Sequence, residues 1–135
     1  MLPAEYRMRH GDEFGAAISS GARSSTARLV VHYHSTRDTV TRVGFVVSRA
    51  VGGAVQRNLV KRRMRAVMAE DLDELPEGTA LVVRALPAAA GASFTELRSD
   101  LRRSWRKAQQ KEYRRRGRSV PVAAGDPPDA GRVQR

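Results

Sequence analysis

Between Gln56 and Ala66 the chain carries Arg57, Asn58, Lys61, Arg62, Arg63 and Arg65 and not one acid. On a helix, positions 58, 61, 62 and 65 stand at i, i+3, i+4 and i+7, so Asn58, Lys61, Arg62 and Arg65 share one face. A solvated helix exterior usually alternates signs to gain i,i+4 pairs. This face does not alternate, and its like charges repel one another in the isolated protein. A polyphosphate relieves that repulsion, because each neutralised phosphate releases condensed counterions. The chemistry this spacing supports is phosphate binding.

Catalytic chemistry finds less support. His32 and His34 alternate onto one side of an extended segment, as two zinc ligands would, but only His10 remains as a third histidine and there is no cysteine. The sequence shows no nucleophile–base pair, no metal cage and no Gly-rich phosphate loop. Its acids are scattered, which argues against an autonomous nuclease. Phe14 has two readings that the residues alone leave open: a ring that stacks on a base, or a plug in the core.

The bulk properties agree with a polyanion partner. Lys and Arg outnumber Asp and Glu by 25 to 14 over 135 residues, a net charge of +11. Aromatic residues make up only 5%, so base stacking cannot dominate and phosphate contacts must carry most of any RNA affinity. No apolar run approaches the ~20 residues of a membrane span. Residues 1–10 lack the apolar centre of a signal peptide, so a cytoplasmic location is expected, and the absence of cysteine fits a reducing compartment.

The elements that must position these residues follow from periodicity. Phe14, Ala17 and Ile18 at i, i+3 and i+4 predict a short helix over 12–20, with Gly11 as N-cap and Gly21 as its stop. The β-branched and aromatic residues of 28–34 predict a strand, with a further short strand around 22–25. A strand over 40–49 should pair with 28–34 as an antiparallel hairpin across the polar loop 35–39. A helix runs from 54 to about 70, with Val60, Met64, Val67 and Asp71 on one side. Residues 79–86, nearly all apolar, read as a strand buried on both faces. Ser93 and Glu96 have capping-box spacing, opening a helix with the stripe Leu97, Leu101, Trp105 and Ala108 that grows steadily more basic. The acids Glu70, Asp71, Asp73, Glu74 and Glu77 read as a solvated helix end. The fold class is α+β, a small sheet of about four strands in the order αββ(β)αβα. Residues 1–116 form one domain, and 117–135, without periodicity, form a disordered tail.

The stretch Val43-Gly44-Phe45-Val46-Val47-Ser48-Arg49-Ala50-Val51-Gly52-Gly53-Ala54-Val55-Gln56-Arg57-Asn58-Leu59-Val60-Lys61-Arg62-Arg63-Met64-Arg65 closely resembles the signature of the bacterial ribonuclease P protein family. That signature is a strand ending in Ser-Lys, a Gly turn, and a helix opening Ala-Val-x-Arg-Asn-Arg-x-x-Lys-Arg-x-x-Arg. Leu2-Pro3 and Arg7-Met8-Arg9 ahead of Glu13-Phe14 also look like the family's opening. Leu59 stands where the motif usually has Arg, Arg49 and Ala50 where it has Lys, Gly53 where the turn is more polar, and Ile18 where a second aromatic is common.

The resemblance implies a fold similar to the second domain of ribosomal protein S5, with a left-handed crossover around the basic helix where a right-handed one is the rule. It implies that cleavage belongs to an RNA subunit with Mg²⁺ and that the protein contributes no catalytic residue. The protein would bind ribonuclease P RNA through Arg57, Asn58, Lys61, Arg62 and Arg65, with Arg49, Arg7 and Arg9 from the turn and N-terminus. It would hold the single-stranded 5′ leader of precursor tRNA in a cleft containing Phe14, Ile18, His32 and His34, where an imidazole can meet RNA. The competing expectation is a ribosomal or ribosome-assembly protein, which would co-purify with rRNA rather than with one ribozyme-sized RNA.

Overall fold

The computed structural model describes residues 2–8, 11–36 and 40–115; the expected tail at 117–135 lies outside them. Its elements are α1 (Gly11–Ser20), β1 (Ala22–Ser25), β2 (Leu29–Ser35), β3 (Arg42–Val46), α2 (Ala54–Asp71), β4 (Thr79–Ala85) and α3 (Phe94–Arg115). The short strand expected near 22–25 is present. The capping box forms as its spacing predicts: the Glu96 amide donates to Ser93 Oγ at 3.1 Å, and the Ser93 amide donates to Glu96 Oε1 at 2.9 Å.

The sheet order is β1-β2-β4-β3, which overturns the expected hairpin between the second and third strands. β4 lies between them, antiparallel to β2 and parallel to β3. The reason is visible in composition. Leu81, Val82 and Val83 are fully buried on alternating faces, and only a central strand has both ladders filled and both faces covered. Burial of this strand outweighs the short loop that favours a local pair. β3, α2 and β4 thus form a parallel crossover, so α2 starts just beyond the end of β3. The basic helix is launched by the sheet's edge.

Alternation divides the sheet into two faces. On one, Leu29, Val31 and Tyr33 of β2 pack with Val43, Leu81 and Val83 against Val60, Met64 and Val67 of α2 and Leu97, Leu101 and Trp105 of α3. On the other, Val82 packs with Met8 and Ala17, and with the half-buried Phe14 and Val46. Each large side chain fully withdrawn from water contributes ~1.5–3 kcal/mol, so the helix-covered face holds most of the stability. The second face, capped only by α1 and the N-terminal segment, is left partly open.

Only part of the acidic cluster is a solvated helix end: Asp73 and Glu77 are exposed, but Glu70, Asp71 and Glu74 are engaged by α3. Asp71, at i+4 from Val67, is 1% exposed and lies beneath α3. It accepts from Trp105 Nε1 at 3.0 Å and from Arg102 Nε at 2.9 Å. Around it Glu70 pairs with Arg98 and Arg102 at 3.1 Å, and Glu74 with Arg106 at 2.7 Å. These acids clamp α2 to α3.

Candidate nucleic-acid interface

The clamp decides which basic helix is available. On α3, Arg98 and Arg102 are taken by Glu70 and Asp71 of α2, Arg106 by Glu74 in the turn just after it, Arg103 by Asp100 and Arg115 by Glu112. Lys111 donates to the Arg23 carbonyl at 3.0 Å. On the N-terminal half of α2, by contrast, Arg57, Lys61, Arg62 and Arg65 form no ion pair with any described residue. Arg63 turns the other way and donates to the Ala92 carbonyl at 2.7 Å.

The expected face on α2 is present. Asn58 and Arg62 are exposed, and Arg57, Lys61 and Arg65 are half-buried, their stems lying along the helix. Arg65 Nε is enclosed and has no hydrogen-bond partner, so the stem of this residue is fixed by packing. Val60, Met64 and Val67 hold the opposite side in the core. Nothing acidic stands in the first turn of α2, and the cap residue Gly53 offers no side-chain oxygen, so the positive end of the helix dipole adds to the same field. Arg49 is exposed in a 3₁₀ turn, Arg49–Val51, immediately before that end.

Arg7 bridges Val43 in parallel register, and its Nε donates to the Leu2 carbonyl at 3.2 Å. Met8 N donates to Val43 O at 3.0 Å. The segment extends the β3 edge, and Arg7 is tied into it. Arg9 lies outside the described residues.

The cleft candidates converge on the second face of the sheet. Strand register aligns Arg23, His32, Val82 and Gly44 in one row, and Ser25, Val30, Arg84 and Val46 in the next. α1 crosses the first row. The Phe14 ring lies directly over Gly44, where an added Cβ would come within 2.5 Å of the ring. Phe14 is part-buried, so its ring packs against the sheet and keeps some exposed surface. Ile18, 38% exposed, stands at the rim. His32 is only 4% exposed, and neither ring nitrogen has a partner. Burial, then Arg84, then Arg23 hold its pKa below the usual 6.5, so the imidazole is neutral near pH 7. His34 shares this face by alternation but sits beyond the end of β1, with Nδ1 3.5 Å from Glu112 Oε2. The structure draws it toward α3.

Two residues that sequence reasoning passed over belong to this floor. Arg84 and Arg23 are exposed, and Arg84 contradicts the reading of its strand as buried on both faces. The signal was there: an arginine interrupting an apolar run marks the rows that α1 leaves uncovered. Among the described residues no three His, Asp or Glu side chains converge as a metal site, and no helix is long and apolar enough to cross a membrane.

The family model described as Ribonuclease P matches residues 2–109. The ribonuclease P protein component of Kocuria rhizophila is 51% identical over 102 residues, covering 76% of this chain and 90% of that protein. The one from Beutenbergia cavernae is 54% identical, covering 75% and 86%. Among solved structures, the RNase P protein of Staphylococcus aureus superposes with a TM-score of 0.71 at 22% identity, covering 77% of this chain and 95% of that one. That of Thermotoga maritima gives 0.64 at 25% identity, covering 72% and 92%. The chain belongs to the ribonuclease P protein family, the protein component of the endoribonuclease that matures tRNA 5′ ends.

Proposed function

We propose that this protein grips ribonuclease P RNA through the unpaired face of α2 and holds the 5′ leader of precursor tRNA between α1 and the open sheet face. The observation that carries this reading is the distribution of ion pairs. Acids pair Arg98, Arg102, Arg103, Arg106 and Arg115 of α3, yet none reaches Arg57, Lys61, Arg62 or Arg65 among the described residues. An uncompensated face of this kind is stabilised by a polyanion through counterion release. Arg49 continues it at the helix N-terminus, and Arg9 adjoins the N-terminal segment in sequence. The cleft, with Phe14 and Ile18 at its mouth and His32 in its floor, offers stacking and apolar contact, which suits a single strand better than a duplex.

In this division of labour the RNA carries the cleavage chemistry in the cytoplasm, with Mg²⁺ held by the RNA and the substrate. The protein's carboxylates fit that assignment, because Asp71, Asp100 and Glu112 are engaged by arginines rather than grouped around a cation.

The test is reconstitution with ribonuclease P RNA at low Mg²⁺. Lys61→Glu/Arg62→Glu should abolish cleavage of precursor tRNA while leaving the melting curve unchanged, since neither residue supports the core. Wild-type binding to the RNA should weaken with log[salt] at a slope of about 0.7–0.9 per phosphate neutralised, and the variant's slope should be smaller by about two such phosphates. Full activity of the double variant at low Mg²⁺ would refute the assignment of α2.

A further inference from the structure

We infer that Arg23 and Arg84 form a two-point phosphate clamp across the floor of the α1–sheet cleft, fixing the path of a single-stranded RNA backbone. The inference rests on the cleft reading above and adds to it the two side chains that set the strand's direction.

Both arginines are exposed on the open sheet face, and neither has an ion pair among the described residues. Two other cations at the sheet are paired. Arg28 engages Glu96 and Asp100, and Arg42, on the same face, pairs with Glu13 at 3.4 Å. The acid nearest the cleft is thereby occupied. Arg23 and Arg84 are left as charges with room for an anion.

Their placement is set by register. Arg23 on β1 is level with His32, which is level with Val82 on β4; Arg84 is two residues further along β4. Two strand spacings and two residue rises place the two Cα atoms about 12 Å apart on a diagonal. Between them lie Val30 and His32, both buried. A backbone running from one guanidinium to the other would pass above this covered strip, with its bases directed toward Phe14 and Ile18. Stacking and phosphate binding thus fall on opposite sides of the same strand.

By strand register His32 lies between the two arginines and feels both charges. It has no hydrogen-bond partner of its own, and the charges of Arg84 and Arg23, after burial itself, disfavour its protonation. Arginine also suits this role better than lysine, since its planar fork can engage two phosphate oxygens at once.

The experiment uses the reconstituted holoenzyme and three substrates: precursor tRNA with a single-stranded leader, the same tRNA without a leader, and precursor tRNA whose leader carries neutral methylphosphonate linkages. Arg23→Gln and Arg84→Gln should each weaken binding of the charged-leader substrate several-fold and lower its salt slope by about 0.7 for each phosphate no longer neutralised. Neither should change affinity for leaderless tRNA, and neither should weaken the neutral-leader substrate further. Arg84→Lys should restore part of the affinity, because it keeps the charge.

If wild-type protein prefers the leader and both Gln variants keep that preference and slope, the clamp is overturned and the cleft reading stands. Equal losses on leaderless tRNA would also overturn it, by moving the arginines to another RNA surface. If wild-type protein shows no leader preference, the cleft reading fails and the clamp falls with it.

Discussion

Gly44→Ala tests how the cleft is built without altering a single charge. A Cβ at this position would lie 2.5 and 2.6 Å from the Phe14 ring and 2.9 Å from Met8 Sδ. Carbon atoms rest at about 3.5–4.0 Å, so the ring must retreat by roughly 1 Å or tilt toward solvent. Overpacking of this kind costs ~1–3 kcal/mol, reduced by the ~0.5–1 kcal/mol that replacing a strand glycine recovers in the unfolded chain. The net loss should be about 0.5–2 kcal/mol in urea denaturation. Function should change more sharply, because a displaced ring no longer meets a base from the side that Ile18 and Arg84 leave open. A stacked base is worth ~1–3 kcal/mol, so preference for leader-bearing over leaderless tRNA should fall several-fold or more. Phe14→Ala alone should give the same loss of preference. The decisive measurement is the double-mutant cycle: removing the ring makes room for the new methyl, so Gly44→Ala should cost at least ~1 kcal/mol less in the Phe14→Ala background. Equal costs in both backgrounds would show that the ring does not rest on Gly44, and a Gly44→Ala protein with intact leader preference would refute the role given to Phe14.

Two further outcomes concern the fold behind the site. Asp71→Ala should destabilise by ~3–5 kcal/mol, because it strands the Trp105 indole N–H and leaves Arg102 without its buried partner; Glu70→Ala, on the exposed pair with Arg98, should cost under ~1 kcal/mol. Comparable losses for the two would refute the clamp between α2 and α3. His32 predicts an acid-sensitive fold. Its folded pKa is lowered by burial, Arg84 and Arg23, so unfolding takes up a proton as pH falls below about 6.5, and stability complete above that pH is lost on acidification at up to ~1.4 kcal/mol per unit. His32→Leu should flatten this limb and leave stability at pH 8 equal or higher, since two unpartnered nitrogens disappear. An unchanged acid limb in that variant would assign the titration elsewhere.

Local chemistry was legible in the sequence wherever it depended on neighbours along the chain. The Ser93–Glu96 box, the Val60–Met64–Val67 stripe and the α2 charge face rest on helical spacing, and each stands where that spacing puts it. Strand pairing depended on the whole sheet. Proximity in sequence favoured joining 28–34 to 40–49, but the apolar β4 could satisfy both faces and both edges only by entering between them. Asp71 shows a signal that was present and undervalued. An acid in register with an apolar stripe announces a buried partner, here Trp105 and Arg102. Gly44 was a similar signal, since a glycine inside a strand often marks close approach of another group.

The charge pattern held the deepest ambiguity. By composition, α3 is as basic as α2, and either helix could have been the RNA anchor. What separates them is the fate of the acids: the tertiary fold delivers Glu70, Asp71 and Glu74 to α3, which also carries Asp100 and Glu112 itself. None reaches the motif half of α2. An acid-free interval in sequence is therefore only half of the argument for an RNA-binding face. The other half is that no acid arrives there through space, and the same criterion, joined to their place on the sheet face that α1 crosses, picks out Arg23 and Arg84.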